Sequence, residues 1–352
     1  MRVLGIETSC DETAAAVVED GQKLLSNVIL SSMDLHAQYG GVVPEIAARS
    51  HIEAIMPVID QALTEAKCSW DDIDAIAVTY GAGLGGSLLI GVLTARTLAI
   101  SREKPLYAIN HVVGHVYANF LTSTALPGYS MRAQQPVFPM LAIIVSGGHS
   151  QFALFQDHFS YELLGQTQDD AIGEAFDKVA KIVGLPYPGG PSVAKAALQG
   201  DAYAYQLPKA KVGRYDFSFS GLKTAVLRLA QAEIGESYNF PSTKLPQRLS
   251  VAQKHDIAAS FQRIAIETIV DKAKLAYAEF QPASVVIAGG VAASSELRRQ
   301  LSAALPLSIG YPDSKLCTDN AAMIATLGYF HVKCGQPIAD PYSLDIAPNL
   351  SM

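Results

Sequence analysis

The sequence predicts an α/β protein of two lobes built on one plan, and two observations carry that prediction. The first is an order of elements that occurs twice: a hairpin, then a strand, a glycine-rich turn and a helix. It is met once within residues 3–100 and again within residues 140–305. The second is size and composition. The chain has 352 residues, 49% of them hydrophobic and 17% charged. That is enough apolar material for two well-buried cores, and it argues against disorder.

Residues 3–18, VLGIETSCDETAAAVV, run apolar, polar, apolar, the pattern of a β-hairpin with a small-residue turn. Glu7 stands inside the opening apolar stretch, which argues against a signal peptide. Residues 73–100 follow as strand, Gly-rich turn and helix. The longest apolar run, 87–95, stops at Arg96, far short of a membrane span, so a cytoplasmic protein without a membrane partner is expected. MLAIIVSGGHSQFALF, residues 140–155, repeats the hairpin pattern. Residues 166–192 begin acidic and continue as an amphipathic helix, with Ala171, Ile172, Ala175, Val179, Ile182 and Val183 at helical spacing. Glu174 and Asp177, three apart, project from one side of it. Gly184, Pro186 and Pro188 end it, and residues 187–191 read as a rigid turn. Residues 216–223 alternate like a strand and then enter a helix. Residues 231–249 read as a flexible loop, and 250–280 as one helix with Ser250 as N-cap. Residues 283–305 repeat the strand, Gly turn and helix. Asp319 opens the last helix, where simple capping explains a carboxylate. Residues 337–352 form an irregular, Pro-rich tail.

Ligands of such folds sit at the carboxyl ends of strands. Glycine lets a backbone approach phosphate closely, and turn N–H groups bind anions. The turns at 8–13, 81–87, 146–149 and 289–295 are therefore expected to converge on a phosphate or nucleotide cleft. Four ordinary tight turns is the plainer alternative. A net charge of −7 argues against a stand-alone nucleic-acid binder while leaving room for a local basic patch. Lys209, Lys211 and Arg214 form one small positive cluster whose default explanation is a solvated loop. Cys10, Cys68, Cys317 and Cys334 are scattered without a C-x-x-C pair, so neither a zinc knuckle nor a disulfide framework is indicated.

The pair His111 and His115, in HVVGH, is the sharpest chemical signal. Residues four apart share one helix face, so two imidazoles there can grip one metal ion. A zinc protease needs Glu at the second position as general base. Here that position is Val112. Two unrelated histidines on a helix is the bland alternative.

These segments together resemble one family along nearly the whole chain. The matching stretches are GIETSCDET (5–13), HAQYGGVVPEIAAR (36–49), HVVGH (111–115), VSGGHS (145–150), DDAIGEAFDKVAK (169–181), YPGGP (187–191), DFSFSGLK (216–223), GGV (289–291) and CTDNAAMIA (317–325). The chain is identified as resembling the TsaD family, the tRNA threonylcarbamoyladenosine biosynthesis transferases once called sialoglycoprotease, in its bacterial form. The resemblance implies a two-lobed fold of the actin, Hsp70 and sugar-kinase superfamily (ASKHA), with duplicated RNase H-like lobes. The expected division is an N-terminal lobe at 1–115, a C-terminal lobe with insertions at 116–319, and a helix and tail at 320–352. That last helix is a candidate to pack back on the first lobe.

It further implies a site for one divalent metal ion, Fe(2+) first and Zn(2+) second, held by His111, His115 and Asp319. The implied substrates are threonylcarbamoyl-AMP and tRNA. The group is transferred to N6 of the adenosine at position 37 of tRNAs reading ANN codons, leaving AMP. Implied substrate contacts are Ile144, Val145, Ser146, Gly147, Gly148, Asp177, Gly190 and Ser294. Asp11, Glu12 and His149 are the candidates to accept the amine proton. Two positions depart from the pattern: Ser294 stands where the family has Asn, and Ala194 where many members have Asp. Implied partners are a TsaB-like pseudo-paralogue, a TsaE-like ATPase and the synthase that makes the adenylate. Val112 disfavours a protease, and HVVGH with CTDN disfavours an ASKHA-type kinase. Both histidines disfavour a nucleotide-binding partner subunit without activity.

Overall fold

A computed structural model of the protein describes residues 1–37, 39 and 41–352. Gln38 and Gly40, within the 36–49 stretch singled out above, lie outside the described residues.

The chain opens with β1 (Arg2–Glu7), β2 (Glu12–Glu19), β3 (Lys23–Ser31), α1 (Met33–Ala37) and α2 (Pro44–Ala66). It continues with β4 (Ala75–Gly81), α3 (Gly85–Arg102), β5 (Leu106–Asn110), α4 (His111–Tyr117) and β6 (Ser123–Thr124). Then come β7 (Met140–Val145), β8 (Ser150–Asp157), β9 (Ser160–Gln166), α5 (Ile172–Val183), α6 (Gly189–Ala197) and α7 (Ser220–Glu233). The remainder is α8 (Leu245–Arg248), α9 (Val251–Phe280), β10 (Ser284–Ala288), α10 (Ser295–Ala304), β11 (Ile309–Gly310) and α11 (Ala321–Lys333).

Two compact units result: Met1–Pro136 with Gly310–Met352, and Val137–Ile309. Residues 116–136 and 310–319, read above with the second lobe, thus belong to the first unit. Each unit is organised around one sheet. The first has the order β5-β4-β1-β2-β3-β6, the second β11-β10-β7-β8-β9. In both, a hairpin (β1–β2, β7–β8) is antiparallel, and the first strand of the hairpin pairs in parallel with a later strand (β4, β10). The central strands β1, β4, β7 and β10 are almost continuously apolar because both faces are covered. The repeated order read from the sequence is therefore a repeated sheet topology.

In the first unit, α11 lies on β1, β2 and β4. The contact is close because small residues face each other. A Cβ on Gly5 would meet the carbonyl of Ala321 and, at 2.6 Å, the amide of Ala325. A Cβ on Gly328 would come within 2.5 Å of the Ala77 methyl. The tail has no regular structure but is bound: Arg96 donates to the carbonyls of Pro341, Tyr342 and Leu344.

In the second unit α5 stops at Gly184, which takes a φ of +78°, and α9 starts at a Ser250–Gln253 capping box. Three sequence expectations change. Residues 187–191 are not a free-standing turn but lead into α6. Pro191 fits there because the first turn's N–H groups have no helical partner. Residues 216–219 are not a strand; Phe217 makes one isolated bridge to Thr167 before α7 begins. Residues 242–248, within the expected loop, form a short 3-10 turn and α8. Among the described residues no helix is long and apolar enough to cross a membrane.

Candidate functional site

In the first unit, β5 ends at Asn110, whose side-chain oxygen accepts from the amides of Val112 and Val113 at 2.8 and 3.2 Å. This cap starts α4 and puts His111 on its first turn. His115 follows one turn later, with ring centroids 4.7 Å apart. Gly114, between them, lets a second helix come close: a Cβ there would lie 2.9 Å from the Ile324 Cδ1 of α11. Asn320 caps α11, accepting from the Met323 amide at 3.1 Å. The cap is thus Asn320, not Asp319, and the Asp319 carboxylate faces the histidines. Its Oδ1 lies 3.6 Å from His111 Nε2 and 3.2 Å from His115 Nε2. One ligand atom from each of the three falls within 4.8 Å of the others.

The surroundings fit a cation. His115 is 2% exposed and both its ring nitrogens are buried without a hydrogen bond. Such an arrangement is costly unless another electrophile takes the lone pair. His111 Nδ1 is fixed by the Glu7 carboxylate at 3.1 Å and the Ser9 hydroxyl at 3.0 Å, which turns Nε2 toward Asp319. Glu7, fully buried, also accepts from the Ser9 amide and the Thr79 hydroxyl, each at 2.5 Å. Burial pushes the His111 imidazole toward neutrality, but Glu7 and Asp319 win and raise it to about 9. Burial likewise pushes Glu7 up, and the charge of His111 more than offsets it. Glu12 is raised to about 9 by burial and then by Asp319 and Asp11. Burial, then Asp319 and Asp11, push the Cys10 thiol up as well. Two imidazoles and one carboxylate suit iron or zinc.

Sequence reasoning passed over Glu7, Ser9 and Thr79 as functional groups. Glu7 carried a readable signal, since a carboxylate inside an apolar strand must find partners. His51 was also missed. It shares hydrogen bonds with the Thr13 hydroxyl at 2.8 Å and the Cys10 carbonyl at 3.0 Å, steadying the turn that carries Asp11 and Glu12. The 81–87 turn is not an open phosphate cradle. Gly81 is covered by Ala347 and Leu350, and Gly83 by Ser9.

In the second unit, the β7–β8 turn is closed by Ser146, whose amide donates to the His149 carbonyl at 2.8 Å while its hydroxyl accepts from the His149 amide at 3.1 Å. Gly147 and Gly148 face open space, with nothing within 4 Å of a Cβ. The Ser146 carbonyl accepts from Gly173 at the start of α5, and Gly289, at φ +89°, abuts Val145 and Ser146. Ile144 and Val145 are fully buried at the end of β7, which leads into this turn. Asp177 accepts from the Gly189 amide at 2.6 Å, and burial raises its carboxyl. It thereby fixes the start of α6, where Gly190 is open on its Cβ side. Ser294 caps α10, accepting from Leu297 at 3.3 Å. The structure therefore places Asp11, Glu12 and the triad in one unit, and His149 with the substrate-contact candidates in the other. Lys209 and Arg214, from the small positive cluster, are held in ion pairs with Glu267, Asp271 and Glu279.

The chain matches the family described as TsaD, tRNA N6-adenosine threonylcarbamoyltransferase, over residues 23–326. It is 48% identical, over all of its own length and 97% of the relative's, to the tRNA N6-adenosine threonylcarbamoyltransferase of Thermomicrobium roseum. Solved structures similar in fold include component A of the (R)-2-hydroxyglutaryl-CoA dehydratase of Acidaminococcus fermentans. It shares a TM-score of 0.51 and 15% identity over 95% of this chain and 99% of that one. Full-length HypF in its phosphate- and nucleotide-bound form gives 0.58 and 13%, over 95% of this chain and 56% of that one.

Proposed function

The chain belongs to the TsaD family of tRNA N6-adenosine threonylcarbamoyltransferases, and on that premise we propose how its residues divide the work. The reaction joins N6 of a tRNA adenosine to the carbamoyl carbon of threonylcarbamoyl-adenylate. The bond from that carbon to the phosphate oxygen breaks, AMP leaves, and the amine loses a proton. Adenine's amine is a poor nucleophile because its lone pair is delocalised into the ring, so the acyl group has to arrive activated. An adenosine beside the anticodon suits such an attack, since unstacked loop bases can be splayed out. We assign position 37 of tRNAs reading ANN codons as the target.

His111, His115 and Asp319 would hold one divalent ion, iron first and zinc second. Bound there, the ion would polarise or orient the threonylcarbamoyl portion. Glu7 and Ser9 keep the His111 ring in register for that task. The amides of 146–149 would hold the adenylate phosphate and then AMP. Asp177 would act by fixing the Gly189–Gly190 backbone rather than by contact alone. The Ser294 hydroxyl accepts at the α10 cap and can still donate to a nucleotide, but it would reach less far than an amide side chain. Asp11, Glu12 and His149 are the groups to take the amine proton, and single alanine variants separate them. The protein would work in the cytoplasm with a TsaB-like pseudo-paralogue, a TsaE-like ATPase and an adenylate-making synthase, as the bacterial resemblance implies.

The observation that carries the catalytic reading over a non-catalytic partner subunit is the complete triad, with both histidines buried and Asp319 half-buried. Its test is a reconstituted transfer assay with threonylcarbamoyl-adenylate and an unmodified ANN-decoding tRNA, with and without chelator, read as threonylcarbamoyl-adenosine by mass spectrometry. Product that disappears on chelation supports reaction and site together. No product from metal-loaded protein would favour the binding-subunit reading.

A further inference from the structure

The chain carries −7 overall, yet residues 178–255 hold eleven Lys and Arg against four Asp and Glu. Within that span, 178–200 and 237–255 contain no acidic residue at all. The fold gathers part of this charge around a cavity of about 490 Å³ in the second unit, lined by Lys178, Lys181, Lys223, Thr224, Ser242 and Thr243 among others. Lys178 and Lys223 are pinned to the two oxygens of Asp170 at 2.7 and 2.8 Å. They shape the wall more than they charge it. Lys181 is exposed and makes no ion pair among the described residues. One turn beyond Thr224 on α7, the Arg228 guanidinium lies 4.6 Å from the ring centroid of Tyr238, which is 65% exposed. Arg248 approaches the Phe240 ring at 5.8 Å and is paired with Glu236 at 3.4 Å, and Lys244 is exposed between the two segments.

Ammonium groups and hydroxyls lining a cavity, beside an exposed tyrosine backed by guanidinium, are the parts that bind a sugar–phosphate chain and stack a base. We propose that this face, made by α5, α7 and residues 238–248, docks the tRNA backbone, with Lys181, Arg228 and Lys244 on phosphates and Tyr238 as a stacking surface. Charge complementarity selects the occupant. An acidic protein repels a polyanion unless one face is locally basic, and α5, α7 and residues 238–248 together carry six Lys and Arg against three Asp and Glu. The proposal rests on the tRNA-modifying reading above.

The test is tRNA binding and transfer by the full protein in its reconstituted assembly, over a range of KCl concentrations. All three cations are exposed, so the Lys181→Glu, Arg228→Glu, Lys244→Glu triple variant is expected to fold, which thermal unfolding checks. It should bind tRNA at least about tenfold more weakly at low salt. Its dependence of log affinity on log salt should flatten by about 0.7–0.9 for each phosphate that is no longer neutralised. Binding of threonylcarbamoyl-adenylate should not change. Tyr238→Ala should weaken tRNA binding severalfold without altering the slope. A triple variant that binds and modifies tRNA with the wild-type affinity and slope overturns the docking face alone. Wild-type protein that neither binds nor modifies tRNA overturns the functional reading on which it rests.

Discussion

Glu7 is a carboxylate on a buried strand, and its tolerance depends on His111, the Thr79 hydroxyl and the Ser9 amide, with the Ser9 hydroxyl tied to the same imidazole nitrogen. An unpaired charge at that depth would cost several kcal/mol. Here it sets which nitrogen of His111 faces Asp319. Glu7→Gln keeps the shape and removes the charge, so the imidazole loses the partner that fixes its tautomer. Metal affinity should fall by about 10–100-fold, read by competition against a chromophoric chelator. An unchanged affinity would remove Glu7 from the role of positioning residue. His111→Ala should abolish transfer in the reconstituted assay while circular dichroism stays that of the wild type. The two histidines were legible because their spacing is local. Asp319 was not, because no spacing rule links it to residues two hundred positions earlier; only the resemblance did so. Asp319 also looked like a cap, and it took the Asn320 side chain at the Met323 amide to release it from that role.

At the scale of elements, the site depends on two helices approaching closely, and glycines set the distance. Gly114 admits Ile324 of α11 to α4, and Gly5 admits the first turn of α11 to β1. A side chain at Gly5 would meet backbone, which cannot move aside cheaply. Gly5→Val should therefore cost at least about 1–3 kcal/mol, seen in denaturant unfolding. It should also weaken metal binding, because Asp319 sits immediately before the displaced helix. A variant as stable as the wild type with intact metal affinity would show that α11 is positioned by other packing. The same helix carries His331, whose ring packs edge-on to Tyr107 at 6.1 Å. Burial holds it near 4, below its ordinary 6.5. A histidine depressed on folding favours the native state while neutral. Its contribution is present above about 6.5 and is lost as pH falls toward 4, with a slope of about 1.4 kcal/mol per pH unit. His331→Phe should flatten urea stability over that window. An unchanged slope would assign the acid sensitivity to other groups. The helices that were misread share a cause. At 187–191 and 242–248, prolines signalled a break, but proline is tolerated in a first turn, and only the packed structure shows that a helix begins there.

At the scale of the whole molecule, the repeated sheet topology was legible because it is written in local patterns, hairpin and strand–glycine–helix, each spanning a short stretch of chain. The return of the chain was harder to read. Residues 310–352 rejoin the first unit after the second has been completed, and what brings them back is long-range: α11 on β1, Arg96 on the tail carbonyls, and Asp319 against His111 and His115. The triad thus joins the two segments of the first unit across the sequence. A ligand bound only by the native state stabilises it by mass action, and the gain should appear where the bond is made. Metal loading is therefore expected to slow amide exchange in α4 and in the first turns of α11, and to leave α9 and β7 of the second unit at their apo rates. Chelation should reverse the change, and Asp319→Ala should abolish it. Protection rising equally in both units, or persisting in the Asp319 variant, would mean that the ion binds elsewhere and that the returning segment is held by packing alone.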